Sequence, residues 1–177
     1  LNITHTPLAG CFIIEPQIFG DARGSFMETY NEKNFPADVH FVQDNQSTSQ
    51  KGVLRGLHFQ TGKHAQAKLV RVIRGEVLDI AVDIRPKSKT FLQHFSVVLN
   101  NQNNKQLFVP RGFAHGFIVL KDDTIFAYKC DNLYNKEAES GIMYNDPEIA
   151  IDWMLPEDEI LLSEKDKALP TLKSLSL

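Results

Sequence analysis

The 177-residue chain contains no apolar run approaching the roughly 20 residues that a membrane-spanning helix needs, which excludes a helical membrane protein. Cysteine is scarce. Cys11 and Cys130 supply neither a disulfide framework nor the paired spacing of a zinc site, which agrees with a reducing compartment, so the expected location is the cytoplasm. No basic segment followed by an apolar stretch opens the sequence at Leu1, and no secretory signal is expected in it. There is no surplus of positive charge either. A formal net charge of -3 argues against a general nucleic-acid surface, although a few local Arg and Lys side chains can still hold an anionic small ligand. The phosphate-cradling loops G-x-x-x-x-G-K-[ST] and G-x-G-x-x-G are missing, as is the nucleophile elbow of serine hydrolases. An H-x-H pair with a nearby carboxylate is also missing: between His58 and His64 there is no acid, and no metal site is expected. Without repeats, low-complexity segments or a linker rich in Pro, Gly and Ser, residues 1–177 read as a single domain.

What the chain does contain is a succession of short strand-like runs. They lie at residues 11–15, 25–30, 41–45, 52–60, 67–74, 76–84, 93–99, 105–109, 114–120 and 124–130. Turn clusters such as "GDARG", "NEKNFPAD", "DIRPKSKT" and "LNNQNNKQ" separate them. This punctuation predicts an all-β sandwich or barrel. In "VLDIAVDIR", Leu78, Ile80, Val82 and Ile84 share one face and Asp79, Ala81 and Asp83 the other, as in a strand with a single core face. After Asp131 the texture changes to loops and short helical candidates, among them "PEDEILLSEKDKALP", read as a C-terminal cover with a loosely held tail, "TLKSLSL".

Polar residues interrupt three of the apolar strands: Arg55 and His58 in "GVLRGLHFQ", Lys68 in "QAKLVRVI", and His115 in "RGFAHGFIVL". Tyr128 in "TIFAYKC" adds a polar tip to an aromatic face. Each has a plain structural explanation: a hydrogen-bonded core histidine or tyrosine, a lysine stem reaching water, an arginine at a rim. The other explanation is a pocket that grips a ring-shaped ligand. Strict alternation places Arg55 and His58 on opposite faces. A shared pocket therefore requires a bulge, for which Gly56 is the candidate. Pattern alone leaves the two explanations open.

The segments "EPQIFGDARGSFMETYN", "FVQDNQSTSQKGVLRGLHFQ", "AQAKLVRVIRGEVLDIAVDIR", "QLFVPRGFAHGF", "YKCDNLYN", "YNDPEIAIDW" and "LSEKDKALP", in this order, resemble the dTDP-4-dehydrorhamnose 3,5-epimerases of the cupin class. The resemblance implies a jelly-roll fold, a homodimer and, as substrate, dTDP-4-dehydro-6-deoxy-D-glucose. Inversion at C3 and C5 would then give dTDP-4-dehydro-L-rhamnose without a metal or organic cofactor. It implies His58 as the base, Asp166 as its carboxylate partner, Lys68 as the cation near the developing oxyanion, and Tyr128 as the acid on the opposite face. Arg23, Glu28, Gln43, Asn45, Arg55, His115, Glu139 and Lys165 match substrate-contacting positions, and Phe19 and Tyr134 match the aromatic residues that sandwich the thymine base. In the family, N-terminal residues complete the neighbouring subunit's site, a role that falls to Arg23 and Glu28. Three positions depart from the family pattern: Leu133 replaces an aromatic residue in "NLYN", Arg111 precedes Gly112, and "YND" stands where tryptophan is common. They bear on nucleotide grip rather than proton transfer. Relatives on the same fold invert one carbon only or act on other nucleotide 4-keto sugars, and the proton-transfer residues do not separate them. A keto-isomerase and a sugar-binding cupin without turnover also stay open.

Overall fold

A strand with one buried face needs a second layer to cover it, and here two sheets cover each other. The computed structural model describes residues 1–175. In spatial order one sheet holds β1 (Asn2–His5), β2 (Phe12–Glu15), β10 (Gln106–Val109), β7 (Lys68–Arg74), β12 (Thr124–Cys130) and β5 (Gln43–Ser49). The other holds β13 (Glu139–Gly141), β6 (Leu54–Gln60), β11 (Phe113–Val119), β8 (Glu76–Asp83) and β9 (His94–Asn100). Neighbouring strands are antiparallel throughout, and the chain crosses repeatedly from sheet to sheet. This is a cupin-type jelly roll, and the alternatives of sandwich and barrel resolve to an open two-sheet sandwich. No helix among the described residues is long and apolar enough to cross a membrane.

Between the sheets Val70, Val72, Leu107 and Phe126 pack against Val77, Ala81, Phe113 and Phe117. A second apolar layer lies outside the five-stranded sheet. There Leu78, Ile80, Val82 and Ile84 meet Ile142, Ile149, Trp153 and Leu172 of the C-terminal segment. The single-faced reading of β8 is thus corrected. Both its faces are buried, the leucine-rich one beneath the C-terminal cover and the other, with Asp79 and Asp83, between the sheets. A buried carboxylate demands partners. Asp83 has them in Arg85, Ser88 and Thr90, whose hydrogen bonds outweigh burial and hold its carboxyl well below the usual carboxylate range.

Other expectations shift as well. The strand expected at 41–45 begins at Gln43 and runs to Ser49, and that expected at 25–30 shortens to β4 (Gly24–Met27), which pairs with β3 (Ile18–Asp21) in an exposed hairpin. Strands β1, β3 and β13 went unanticipated because none presents an alternating apolar face: β1 and β3 are exposed along their whole lengths, and β13 spans three residues. Of the helical candidates near the C-terminus, one α-helical turn forms, α1 (Glu164–Lys167). The tail is docked rather than loose through Leu172, which is buried in the second apolar layer, and Leu175, which packs against it; Ser176 and Leu177 lie outside the described residues.

Candidate active site

The register between β6 and β11 settles the question of faces. Phe117 sits opposite Arg55 and His115 opposite His58, so three steps along β6 match two along β11. One extra residue on β6 reverses its alternation and turns Arg55 and His58 to the same side. Gly56 carries the irregularity at φ +130, where a Cβ would stand 2.6 Å from the Cα of Gly116 and 2.9 Å from the carbonyl oxygen of His115. The small face of β11 at Gly116 exists to admit this backbone: a Cβ there would stand 2.9 Å from the carbonyl oxygen of Arg55.

Arg55, His58, Lys68, His115, Tyr128 and Asp166 line one cavity of about 390 Å³, joined by Asn45 and Lys165. An adjoining cavity of about 120 Å³ shares Asn45, His58, Lys68 and Tyr128, and adds Gln43, Tyr134 and Glu139. His58 comes from the five-stranded sheet, Lys68 and Tyr128 from the six-stranded one. A ligand between the layers therefore meets an imidazole on one side and a phenol on the other.

The imidazole is oriented from the cover. His58 Nε2 lies 2.5 Å from Asp166 Oδ1, and Ser163 Oγ donates to Asp166 Oδ2 at 2.9 Å. Ser163 is the N-cap of α1, accepting from the Asp166 N–H at 3.1 Å. Burial works to raise the Asp166 pKa, yet the hydrogen bonds from His58 and Ser163 hold it below the ordinary aspartate value, so it remains a carboxylate that accepts the Nε2 proton. The lone pair of His58 is thereby left on Nδ1.

Burial lowers the pKa of the Lys68 ammonium, while the charges of Asp79 and Glu139 oppose the shift. It also raises the Tyr128 phenol. Lys68 Nζ stands 5.8 Å from the centroid of the Tyr128 ring. Cys130 shares the adjoining cavity, but burial pushes its thiol up to about 11, too high to supply a nucleophile near neutrality. Among the described residues, His58 Nδ1, Lys68 Nζ and Tyr128 Oη have no hydrogen-bond partner in the protein, yet no side-chain nitrogen or oxygen is both sealed from solvent and unpartnered. These three atoms therefore open onto the cavity they line.

At the rim, Glu139 accepts from Tyr134 Oη at 2.8 Å and pairs with Lys165 at 2.5 Å. Gln43 ties the segment down by accepting from the Tyr134 N–H at 2.9 Å and donating to Asn45 Oδ1 at 3.0 Å. Arg55 donates to Ser49 Oγ at 3.2 Å.

Phe19, Arg23 and Glu28 stand apart from this group. Phe19 and Arg23 belong to the exposed hairpin, where Arg23 pairs with its own neighbour Asp21 and its side chain is 90% exposed. Glu28 accepts from Asn31, and with Phe19 it lines a separate surface cavity. Sequence reasoning missed two residues. Ser163 had a signal, since "SEKD" has the S-x-x-D spacing of a capping box. Asp79 had none beyond its place on the face assigned to solvent, and it lies fully buried against His115. Among the described residues no three His, Cys, Asp or Glu side chains converge as a metal-ligand set.

The sequence model of the dTDP-4-dehydrorhamnose 3,5-epimerase family matches residues 5–174. A dTDP-4-dehydrorhamnose 3,5-epimerase from Methanothermobacter thermautotrophicus is 52% identical over 166 residues, 92% of this chain and 89% of that protein. The crystal structure of the epimerase of that name from Elizabethkingia anophelis superposes with a TM-score of 0.94 at 53% identity, covering 97% of this chain and 96% of that one. A dTDP-6-deoxy-D-glucose-3,5-epimerase from Legionella pneumophila, solved in complex with dTDP-4-keto-L-rhamnose, also gives 0.94, at 49% identity over 99% of this chain and 94% of that one.

Proposed function

The chain belongs to the dTDP-4-dehydrorhamnose 3,5-epimerase family, and we propose that it epimerises dTDP-4-dehydro-6-deoxy-D-glucose to dTDP-4-dehydro-L-rhamnose with His58, Lys68, Tyr128 and Asp166 as its proton-transfer set. The observation that carries this reading is the placement of a carboxylate-oriented imidazole and a phenol on opposite layers of one cavity. The ketone at C4 acidifies the hydrogens on C3 and C5. His58 Nδ1 takes one of them, the C–H electron pair becomes the enolate π-bond, and the ketone π-electrons move onto the oxygen. Asp166 stabilises the imidazolium so formed. Lys68 supports the oxyanion, a contribution of about 3 kcal/mol for one well-placed donor. The Tyr128 phenol then gives its proton to the opposite face of the carbon, general acid–base catalysis of this kind being worth roughly 100- to 10,000-fold. No step calls for a metal or organic cofactor.

Arg55 offers a planar fork suited to a diphosphate oxygen pair. Gln43, Asn45, His115, Glu139 and Lys165 supply polar contacts around the sugar and nucleotide, and Tyr134 offers a face to the thymine. Phe19, Arg23 and Glu28 serve the site of a second subunit in a homodimer, which accounts for their distance from their own chain's cavity. The protein works as a single domain in the cytoplasm, where its two buried free thiols persist.

His58→Gln separates catalysis from binding. Glutamine retains an Nε2 donor for Asp166 but has no basic nitrogen. The expected result is dTDP-sugar binding within a few-fold of wild type and turnover reduced at least about 100-fold. Retained turnover refutes the assignment of the base, and a wild-type protein that binds the sugar but never turns it over is a binding cupin.

A further inference from the structure

His58 and His115 face each other across neighbouring strands, and each has a carboxylate on its Nε2. The second pair is the more enclosed: Asp79 is 0% exposed and His115 6%, and His115 Nε2 lies 3.0 Å from both Asp79 oxygens. Asp79 has no other side-chain hydrogen bond among the described residues. An acceptor-only group on Nε2 requires the proton there. His115 Nδ1 has no protein partner, and no side-chain nitrogen among the described residues is both sealed and unpartnered, so Nδ1 opens onto the cavity that His115 lines. Phe126 lies nearly parallel to the imidazole, its centroid 6.4 Å away and the planes 20° apart, which restricts the ring's tilt.

We propose that Asp79 is a positioning residue for the epimerisation: it fixes His115 as the Nε2–H tautomer, so that the Nδ1 lone pair accepts the hydrogen of a sugar ring hydroxyl and sets which carbon faces His58. The assignment rests on the epimerase reading for the identity of the ligand. It rests only on the Asp79–His115 geometry for the tautomer. The role could not be read from the sequence, because alternation along β8 puts Asp79 on the side opposite the leucines, which a single-faced strand would expose to water.

The test is ¹⁵N NMR of the histidine rings in the wild-type enzyme and in Asp79→Asn, with steady-state kinetics of both. Asparagine conserves shape, yet its amide N–H can donate to Nε2 and drive the proton to Nδ1, as happens when the carboxylate of a catalytic triad is replaced. The wild-type His115 ring should show Nε2–H, and the variant should show Nδ1–H. With a donor then facing the sugar hydroxyl, kcat/KM should fall roughly 10- to 100-fold. A wild-type ring protonated on Nδ1, whether alone or together with Nε2, overturns the proposal even if the variant fails to fold. So does a folded variant with kcat/KM within about three-fold of wild type, by the same measure of one hydrogen bond. Because Asp79 also bears on Lys68 electrostatically, the tautomer rather than the rate isolates the His115 effect. Failure of the epimerase reading would show separately, as a wild-type enzyme without turnover but with the predicted tautomer.

Discussion

Burial moves the Lys68 ammonium below its ordinary value of 10.5 and the Tyr128 phenol above its own of 10.0. The sign follows for each. In the proposed mechanism Lys68 supports an oxyanion as a cation, a form lost as pH rises through its lowered pKa, whereas Tyr128 keeps the proton it would donate to higher pH than a free tyrosine. The alkaline limb of the rate profile is therefore expected to report Lys68. In Lys68→Arg the guanidinium stays charged, so this limb should vanish or move up to the Tyr128 titration, whatever the maximal rate. A kcat profile whose alkaline limb is unchanged in that variant contradicts the assignment. The residue types were legible in the chain: an arginine, a lysine and two histidines inside apolar strands stand out against their neighbours. The resemblance supplied their roles. The orientation of His58 was only half legible, because the partner carboxylate could be matched but the serine that holds it depends on how one short helical turn caps itself.

Strand β6 shows why a side-chain pattern underdetermines a pocket. Its alternation separates Arg55 from His58, and the bulge that reunites them is a backbone event marked in sequence by Gly56 alone. The expectation of a kink there holds, with the close approach of Gly116 as its physical reason. Gly56→Ala should destabilise the protein by about 1–3 kcal/mol, the usual range for forcing an atom into a packed site, and should lower kcat/KM by displacing His58. Chemical denaturation with parallel kinetics measures both, and a fully active variant of wild-type stability would show that the bulge does not position the base. Strand β5 makes the complementary point. Its sequence, "QDNQSTS", alternates between half-buried and exposed positions with polar residues on both, because it lines the cavity rather than the core, and hydrophobic periodicity placed its start two residues early and its end four residues early.

The complete molecule joins two sheets that supply opposite faces of one site to a C-terminal cover that supplies the orienting carboxylate. The sandwich was legible because its strands are short, apolar on at least one side and separated by Gly, Pro, Asn and Asp. The C-terminal cover was legible as well, but its apolar contact with β8 was not, since a strand buried on both faces differs from a one-sided strand only in the fate of Asp79 and Asp83. The exposed hairpin carrying Phe19 and Arg23 leaves Ile18, Phe19 and Phe26 to solvent, and the homodimer reading places it against a second subunit. Sedimentation should give a dimer at micromolar concentration. A monomer with full activity would contradict the sharing of Phe19, Arg23 and Glu28 between sites. Proton removal and return beside the ketone is tested most directly by incubating the wild-type enzyme with dTDP-4-dehydro-6-deoxy-D-glucose in heavy water and locating deuterium in the product by NMR. The account predicts deuterium at both C3 and C5. Label at a single carbon would make the protein a mono-epimerase, and conversion without solvent label at either carbon would contradict the proposed chemistry.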